Sequence, residues 1–347
     1  MTSSLQAVRM KIAVVGAAGH TGRFVVRNLL DRGLEPIVIG RSRTRLKAAG
    51  SGRLGLELRE ARLDDVAALD RAIAGAGIVV NCAGPFLDTA RYVAPAAIRA
   101  GAHYLDVSAE QVSTSDIYAQ FDSAARERGL IFLPSMAFFG GFADLLVSSI
   151  VESVTDYDAV TIAIALSYWH PTQGTRETGR KNTAPRMMVS GGALVPITTP
   201  PRDMTWTFPP PLQEQEVVEL PFSEVPVIFR HLPLAELRTF LTRNALSDVR
   251  NPETPAPAAV DASGRSAQQF TIHVAVTGRK GNRQLLARGK DIYHFTAPLI
   301  GEAVERIAIG DFRATGALPP ASVFGATEFL TSLSAAEPSL TVEVLVD

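Results

Sequence analysis

The chain has 347 residues, of which 46% are hydrophobic and 20% charged, and a formal net charge of -1. That composition is sufficient for two well-cored domains and excludes a disordered chain, while the near-neutral charge argues against general nucleic-acid binding. Cys82 is the only cysteine, which excludes an internal disulfide and a cysteine-held metal cluster and is expected of a cytoplasmic protein without a metal.

Residues 1–10 are polar, without the apolar core of a secretory signal, and read as a frayed tail. The first structured stretch is Lys11-Ile12-Ala13-Val14-Val15-Gly16-Ala17-Ala18-Gly19-His20-Thr21-Gly22. Four apolar residues, a glycine turn and an amphipathic run predict a buried parallel strand feeding a helix. In such a turn Gly16 permits the tight bend, Gly19 lets backbone approach a phosphate, and Gly22 lets the helix pack closely on the strand. The helix N-terminus then offers a pyrophosphate site lined by Ala18, His20 and Thr21; His20 itself reads as structural. The spacing is G-x-x-G-x-x-G, one residue longer at the first gap than the usual dinucleotide fingerprint.

Strand-like and helix-like patterns then alternate as far as residue 151, which predicts a doubly wound parallel sheet. Strands are expected at 11–15, 36–39, 56–62, 78–81, 103–107 and 130–133, and helices at 21–32, 65–74, 89–100 and 115–128. Gly33, Gly75, Gly101 and Gly129 each follow one of those helices, as C-terminal caps do. The apolar stretch 129–151 carries Pro134, Gly140-Gly141 and Asp144, so a strand, a loop and a helix fit it better than a membrane span.

The second strand ends in Gly40-Arg41-Ser42. An NAD-specific site wants a carboxylate there, whereas a guanidinium binds the 2′-phosphate of NADP. Arg41 and Ser42 therefore point to NADP; Arg43 and Arg45 either join them or face water, and the competing reading is a solvated arginine-rich helix start. At the ends of the next two central strands come Asn81-Cys82-Ala83-Gly84-Pro85-Phe86 and then Asp106-Val107-Ser108-Ala109-Glu110. Small residues at that sheet edge let a cofactor pass close to backbone, with Ser108 as a further contact. Asp106 and Glu110 read as orienting backbone or ribose.

These two linked motifs, with Gly101 and Tyr104 between them, resemble the N-c-a-G-P-f … a-G-x-x-Y-l-D-v-s-x-E pattern of saccharopine dehydrogenase-like NADP-binding domains. Residues 134–145 are similar to that family's next element, and residues 293–302 to its later Y-x-x-T-A-P helix. Ala109-Glu110 stands where the family commonly has Gly-Glu. The resemblance implies a Rossmann-type domain, bound NADP and an oxidoreductase activity. The family includes saccharopine reductases, which reduce an imine between two amino-acid moieties, and trans-acting enoyl reductases; this chain is shorter than typical examples of both.

Beyond residue 151 the texture changes. A strand-like run at 159–167, a polar loop to Arg186, proline-dense edge strands and loops at 196–226, and a long hairpin at 268–277 and 284–293 around Lys280-Gly281-Asn282 predict a second α+β domain on a mixed or antiparallel sheet. A helix is expected at 297–308 and a closing strand at 339–346. The domain boundaries expected are 1–151 for cofactor binding, 152–296 for substrate binding and dimerisation, and 297–347 for C-terminal helices and a strand packing back on the core. None of the six tyrosines is followed four residues later by a lysine, so the short-chain dehydrogenase dyad is absent. The candidate chemistry lies in the stretch 168–181, which gathers Tyr168 and His170 as proton donors and Thr172, Thr175, Arg176 and Arg180 as substrate contacts. On a helix from 173 to 182, Arg176 and Arg180 would share one face and clamp an anion, with Thr172 or Thr175 as the cap; the competing reading is a solvated charged loop. The expected protein is an NADPH-dependent reductase of a C=N, C=O or activated C=C bond in a small anionic substrate. It would be a homodimer through the 268–293 hairpin, with no nucleic-acid or membrane partner. An NADP-binding sensor without turnover is the alternative.

Overall fold

The computed structural model describes residues 10–345 apart from 51, 53, 152–156 and 280. In chain order the first elements are β1 (Ile12–Val15), α1 (His20–Asp31), β2 (Pro36–Gly40), α2 (Arg43–Ala48), β3 (Leu58–Glu60), α3 (Val66–Ile73), β4 (Ile78–Asn81), α4 (Phe86–Ala100), β5 (His103–Asp106), α5 (Gln111–Glu127) and β6 (Ile131–Leu133). A π-turn at Phe138–Phe142 leads into α6 (Ala143–Ile150). Then come β7 (Tyr157–Leu166), α7 (Gln173–Lys181), β8 (Met187–Ser190), β9 (Ala193–Pro196), β10 (Asp203–Phe208), β11 (Gln213–Glu219), α8 (Glu224–Phe229), β12 (Glu236–Thr242) and α9 (Arg243–Arg250). The chain closes with β13 (Gln269–Gly278), β14 (Gly281–Lys290), α10 (Ile292–Ile309), β15 (Gly316–Ala317), α11 (Pro320–Val323), α12 (Ala326–Ala336) and β16 (Thr341–Leu345).

The first sheet is a seven-stranded parallel one in the order β15-β6-β5-β4-β1-β2-β3. Its central strands read Ile-Ala-Val-Val and Ile-Val-Val-Asn and are buried throughout, as strands covered by helices on both faces must be. Chain order reverses between β1 and β4, which opens a crevice at their C-terminal ends. Two helices begin earlier than the sequence pattern indicates. Helix α4 starts at Phe86 because the Glu110 carboxylate accepts the Phe86 and Leu87 amides, at 2.7 and 3.1 Å, a cap supplied from 24 residues away. Helix α5 starts directly after the same glutamate. Strand β15, two residues long, lies beyond the reach of any periodicity.

The second sheet is mixed and nine-stranded, ordered β10-β11-β12-β7-β13-β14-β16 with the β8–β9 hairpin attached to β12. Helices α6 and α10 lie between the two sheets and share one core with both. Phe142 meets Phe295 at 4.6 Å, Phe138 meets Phe270 at 4.8 Å, and Phe270 meets Phe295 at 5.1 Å between ring centres. Removing one such ring costs about 3–5 kcal/mol, so the layers are joined rather than hinged. Helix α10 also runs along α1, where Arg32 donates to Glu302 at 3.1 Å and pairs with Glu305. Because α10 begins at Ile292, the expected boundary after residue 296 falls inside one helix.

The β13–β14 hairpin differs from expectation in two ways. Gly278 pairs with Gly281 and Thr277 with Asn282, so Gly281 and Asn282, both expected in the turn, belong to β14, while Lys280 lies outside the described residues; Ile292 and Tyr293 belong to α10. Neither strand has a free edge, since β7 and β16 flank them. The β10–β11 hairpin folds back over the outer face: Trp206 Nε1 donates to His273 Nδ1 at 3.1 Å, and Arg288 donates to the Pro210 carbonyl at 2.6 Å. Edge-to-edge pairing with another chain is thus unavailable to β13, which is paired on both sides. No helix among the described residues is long and apolar enough to cross a membrane.

One ion pair ties the middle layer to its surroundings. Asp144, fully buried on α6, meets His231 Nε2 at 2.6 Å and accepts the Ala321 amide at 2.9 Å. Burial opposes a charge on His231, but the facing carboxylate outweighs it and holds the imidazolium above its ordinary pKa. A raised folded-state pKa stabilises below the unfolded value and the contribution fades as pH climbs through the folded one. H231Q should be less stable than the wild type at pH 6, and the difference in melting temperature between the two should shrink as the pH rises to 8; a difference that stays constant with pH refutes the assignment.

Candidate functional site

The crevice at the β1/β4 switch point opens into a cavity of about 1650 Å³ lined by both halves of the chain. Its floor begins at the glycine turn. Gly16 has φ +78° and its amide donates to Ile39 O at 2.9 Å. A Cβ on Gly16 would lie 2.8 Å from the Ala83 amide, and one on Gly22 would strike the Gly16 carbonyl oxygen. Gly16 therefore lets two strand ends approach, while Gly22, outside the cavity lining, seats the helix. No side chain caps the N-terminus of α1, so its first amides remain available to an anion. His20 lines the cavity with its Nε2 buried and, among the described residues, without a hydrogen-bond partner. Burial lowers its pKa, with Asp291 opposing and Arg23 assisting, so the ring is neutral near pH 7.

At the end of β2 the cavity is lined by Gly40, Arg41, Ser42 and Arg45. Ser42 Oγ accepts the Arg45 amide and caps α2, which leaves its O–H free to donate. The Arg43 guanidinium turns away to the Leu58 carbonyl at 2.9 Å. Arg41 is exposed at the rim, and no carboxylate follows β2 where an NAD site needs one. This set of groups fits NADP: free helix amides for the diphosphate, glycines where the backbone must be approached, and a cation with a hydroxyl at the 2′-phosphate position.

Cys82, Ala83 and Gly84 line the floor at the end of β4, and Val107, Ala109 and Glu110 at the end of β5. The groups behind them are structural. Asn81 Oδ1 accepts the Ala83 amide at 3.1 Å, Ser108 Oγ accepts the Glu110 amide at 3.0 Å, and neither side chain reaches the cavity; nor does Pro85. Asp106 accepts the Ser108 and Ser135 amides at 3.0 and 2.8 Å and the Tyr104 hydroxyl at 2.9 Å. Burial still raises its pKa to about 6. The half-buried Cys82 thiol is pushed up to about 12 by desolvation and by the nearby Asp106 carboxylate, and stays neutral.

The roof is α7, the helix weighed for this stretch against a solvated charged loop, together with Trp169 and the irregular stretch after α9. Helix α7 forms because Thr172 Oγ1 caps it, accepting the Thr175 amide at 3.0 Å. Beneath it stands Tyr293. Its hydroxyl oxygen accepts from Trp169 Nε1 at 2.8 Å and from the Thr172 amide at 3.4 Å, so its own proton goes to Thr175 Oγ1 at 2.9 Å. Thr175 then donates to Thr172 Oγ1, also at 2.9 Å. Both lone pairs of Thr172 are thereby used, and its hydroxyl proton is left to donate into the cavity it lines. Burial raises the Tyr293 pKa despite those donors, so the phenol stays protonated.

Several sequence candidates sit elsewhere. The rings of Tyr168 and His170 stack on each other at 4.3 Å, outside the cavity lining, because residue 169 is the one whose side chain turns inward. Arg176 and Arg180 do line the cavity but are committed: Arg176 donates to the carbonyls of Asn251 and Thr254 at 3.2 and 2.5 Å, and Arg180 pairs with Glu177. Arg176 thus fastens the stretch after α9, whose Pro252, Ala256 and Pro257 close one side. The residues not picked out from sequence are Tyr293, Arg186, Arg250, Phe139 and Phe222. Tyr293 and Phe139 lay in the stretches 293–302 and 134–145 that carried the family likeness; the others come from loops and strand ends that pattern alone does not orient. No cluster of metal-ligating side chains occurs among the described residues.

Residues 12–133 match the family described as Saccharopine dehydrogenase NADP binding domain. A lipid droplet localized protein of Caenorhabditis elegans is 28% identical over 152 residues, covering 40% of this chain and 36% of that protein. The human saccharopine dehydrogenase-like oxidoreductase is 30% identical over 152 residues, covering 39% and 35% respectively. The chain thus spans little more than a third of the length of these relatives. Among solved structures, the apo saccharopine dehydrogenase (L-Glu forming) of Saccharomyces cerevisiae superposes with a TM-score of 0.70 at 10% identity, over 97% of this chain and 100% of that one; the likeness is one of fold.

Arg41→Asp should weaken NADPH binding by about tenfold or more and leave NADH nearly unchanged, measured by calorimetry; equal losses would mean that Arg41 does not read the phosphate.

Proposed function

We propose that this chain, whose residues 12–133 form a saccharopine dehydrogenase NADP binding domain, is an NADPH-dependent reductase of a C=N, C=O or activated C=C bond in a small substrate. The observation that supports the reading is the single cavity of about 1650 Å³ running from the glycine turn to the walls of the second sheet. It exceeds the roughly 300–1,000 Å³ of an ordinary small-ligand site, leaving room for a dinucleotide and a second molecule together.

Bound NADPH supplies the hydride. The glycine turn and the N-terminus of α1 would hold its diphosphate and Arg41 and Ser42 its 2′-phosphate, with the small residues Cys82, Ala83 and Gly84 leaving the floor open to it. Thr172 is the group of this chain best placed to hydrogen-bond the substrate atom on which negative charge grows, because its proton has no other acceptor. Tyr293 and Thr175 are positioning residues: they fix the direction of the hydroxyl chain so that Thr172 donates rather than accepts. The net proton comes from solvent, which reaches the cavity where exposed residues such as Arg41 and Arg250 line it.

NADPH consumption with a panel containing a 2-oxo acid, an enone, and a 2-oxo acid with methylamine tests the activity; tight NADPH binding with no turnover of any would favour a non-catalytic sensor. With a turned-over substrate, Thr172→Val should lower kcat by about 10²-fold with NADPH affinity unchanged, and Thr172→Ser should restore most of it. Equal activity in the valine variant would remove Thr172 from the reaction.

A further inference from the structure

The end of the cavity away from the glycine turn has its own chemistry. Its wall is apolar and largely aromatic: Phe139, Trp169, Phe222, Leu220, Leu246 and Val249. Phe139 stacks on Trp169 at 5.2 Å with planes 29° apart and meets Phe222 at 4.2 Å. Two guanidinium groups reach the same space. Arg186 lies over the Phe222 ring, 4.6 Å from its centre, and donates one Nη1 bond to the Pro221 carbonyl at 2.6 Å. That leaves Nε–H and Nη2–H, the edge of the fork that matches two carboxylate oxygens. Arg250, exposed at the end of α9, lines the cavity too, and its charge is felt at Arg186.

No carboxylate of the described residues lies within ion-pairing distance of either arginine. Glu224, the acid that Arg186 senses, is fully buried, gives one oxygen to the Phe222 amide at 2.8 Å, and has its pKa raised by burial to about 7. A half-buried cation beside a second cation is costly unless an anion joins them. The acids that do line the cavity are all engaged. Asp64 is bonded to Arg62, Asp88 to Lys181, and Glu110 to two backbone amides. Each already has a partner, so among the described residues none of these acids stands as an unmatched anion toward a substrate ammonium group, whereas the two arginines stand as unmatched cations.

We infer that the substrate is a hydrophobic monocarboxylate, with an aromatic or similarly flat apolar body against Trp169, Phe139 and Phe222 and its carboxylate on Arg186 and Arg250, and not a multiply charged amino acid. This rests on the reductase reading above and narrows it. A substrate joining two amino-acid moieties would place an ammonium and further carboxylates against a wall that offers them no partners.

Calorimetric titration of the NADP⁺-loaded protein with trans-cinnamate, methyl cinnamate and 2-oxoglutarate separates the possibilities. Cinnamate should bind at least tenfold tighter than its neutral ester, which shares the ring, and tighter than 2-oxoglutarate, which shares the charge. Arg186→Gln should abolish most of the preference for acid over ester while leaving ester binding and NADP⁺ affinity alone; Arg250→Gln, at an exposed site, should reduce it without a folding defect. Equal binding of acid and ester, tighter binding of 2-oxoglutarate, or binding of none of the three at millimolar concentration would overturn the inference. Failure to load NADP⁺ would instead overturn the reductase reading, and it is measured first on the same samples.

Discussion

The site depends on α10 being fixed at both ends of its first turns: packed along α1 on one side and hydrogen-bonded to the roof on the other. Tyr293, in that first turn, lies edge-on to His20 at 5.4 Å and holds Trp169, Thr172 and Thr175 through one oxygen. The floor of the cavity and its roof are thereby set at a fixed separation by a single side chain. Asp291 makes the geometry possible. It caps α10 by accepting the Tyr293 and His294 amides at 3.0 and 3.1 Å, in a left-handed conformation with φ +52° that a non-glycine residue adopts only at some cost.

Two buried carboxylates do comparable positioning on the floor. Asp106 accepts the Ser108 amide beside it and the Ser135 amide 29 residues on, and Glu110 accepts the first two amides of α4; the segments they hold lie next to Cys82–Gly84 and Val107–Ala109 at the cavity surface. An acid is suited to this because it accepts several amides at once and, in a buried place, each such bond is strong. Burial raises the pKa of both, so their ionisation is sustained by those bonds rather than by any nearby cation. Residue types that ordinarily suggest acid–base chemistry thus act here through the backbone they orient.

The second half of the chain contributes less a separate body than a lid built onto a shared middle layer. Helices α6 and α10 sit in one apolar cluster with residues of both sheets, and the pairing of β15 with β6 and β16 with β14 carries the C-terminal segment into both sheets in turn. Of the roof, α7 and the stretch after α9 meet through Arg176. The apolar wall at the far end stays in place because its rings also pack on that common layer.

The amino-acid sequence by itself determined the parallel sheet, the glycine turn and the cation after β2, because each is encoded within a dozen residues: apolar runs, glycine spacing and a charge at a strand end. It also marked 168–181 as a polar stretch of interest. Which members of that stretch face inward was decided only by tertiary structure, since alternate residues in an extended segment point opposite ways and nothing local says which way is in. Trp169 turned to Tyr293, Tyr168 and His170 turned out, and Arg176 found carbonyls 75 and 78 positions on. The free arginines, the directed hydroxyl of Thr172 and the distant cap on α4 are likewise relations between remote segments. They arise when the layers close, because hydrogen bonds and charges are assigned by whichever partners packing brings within about 3 Å.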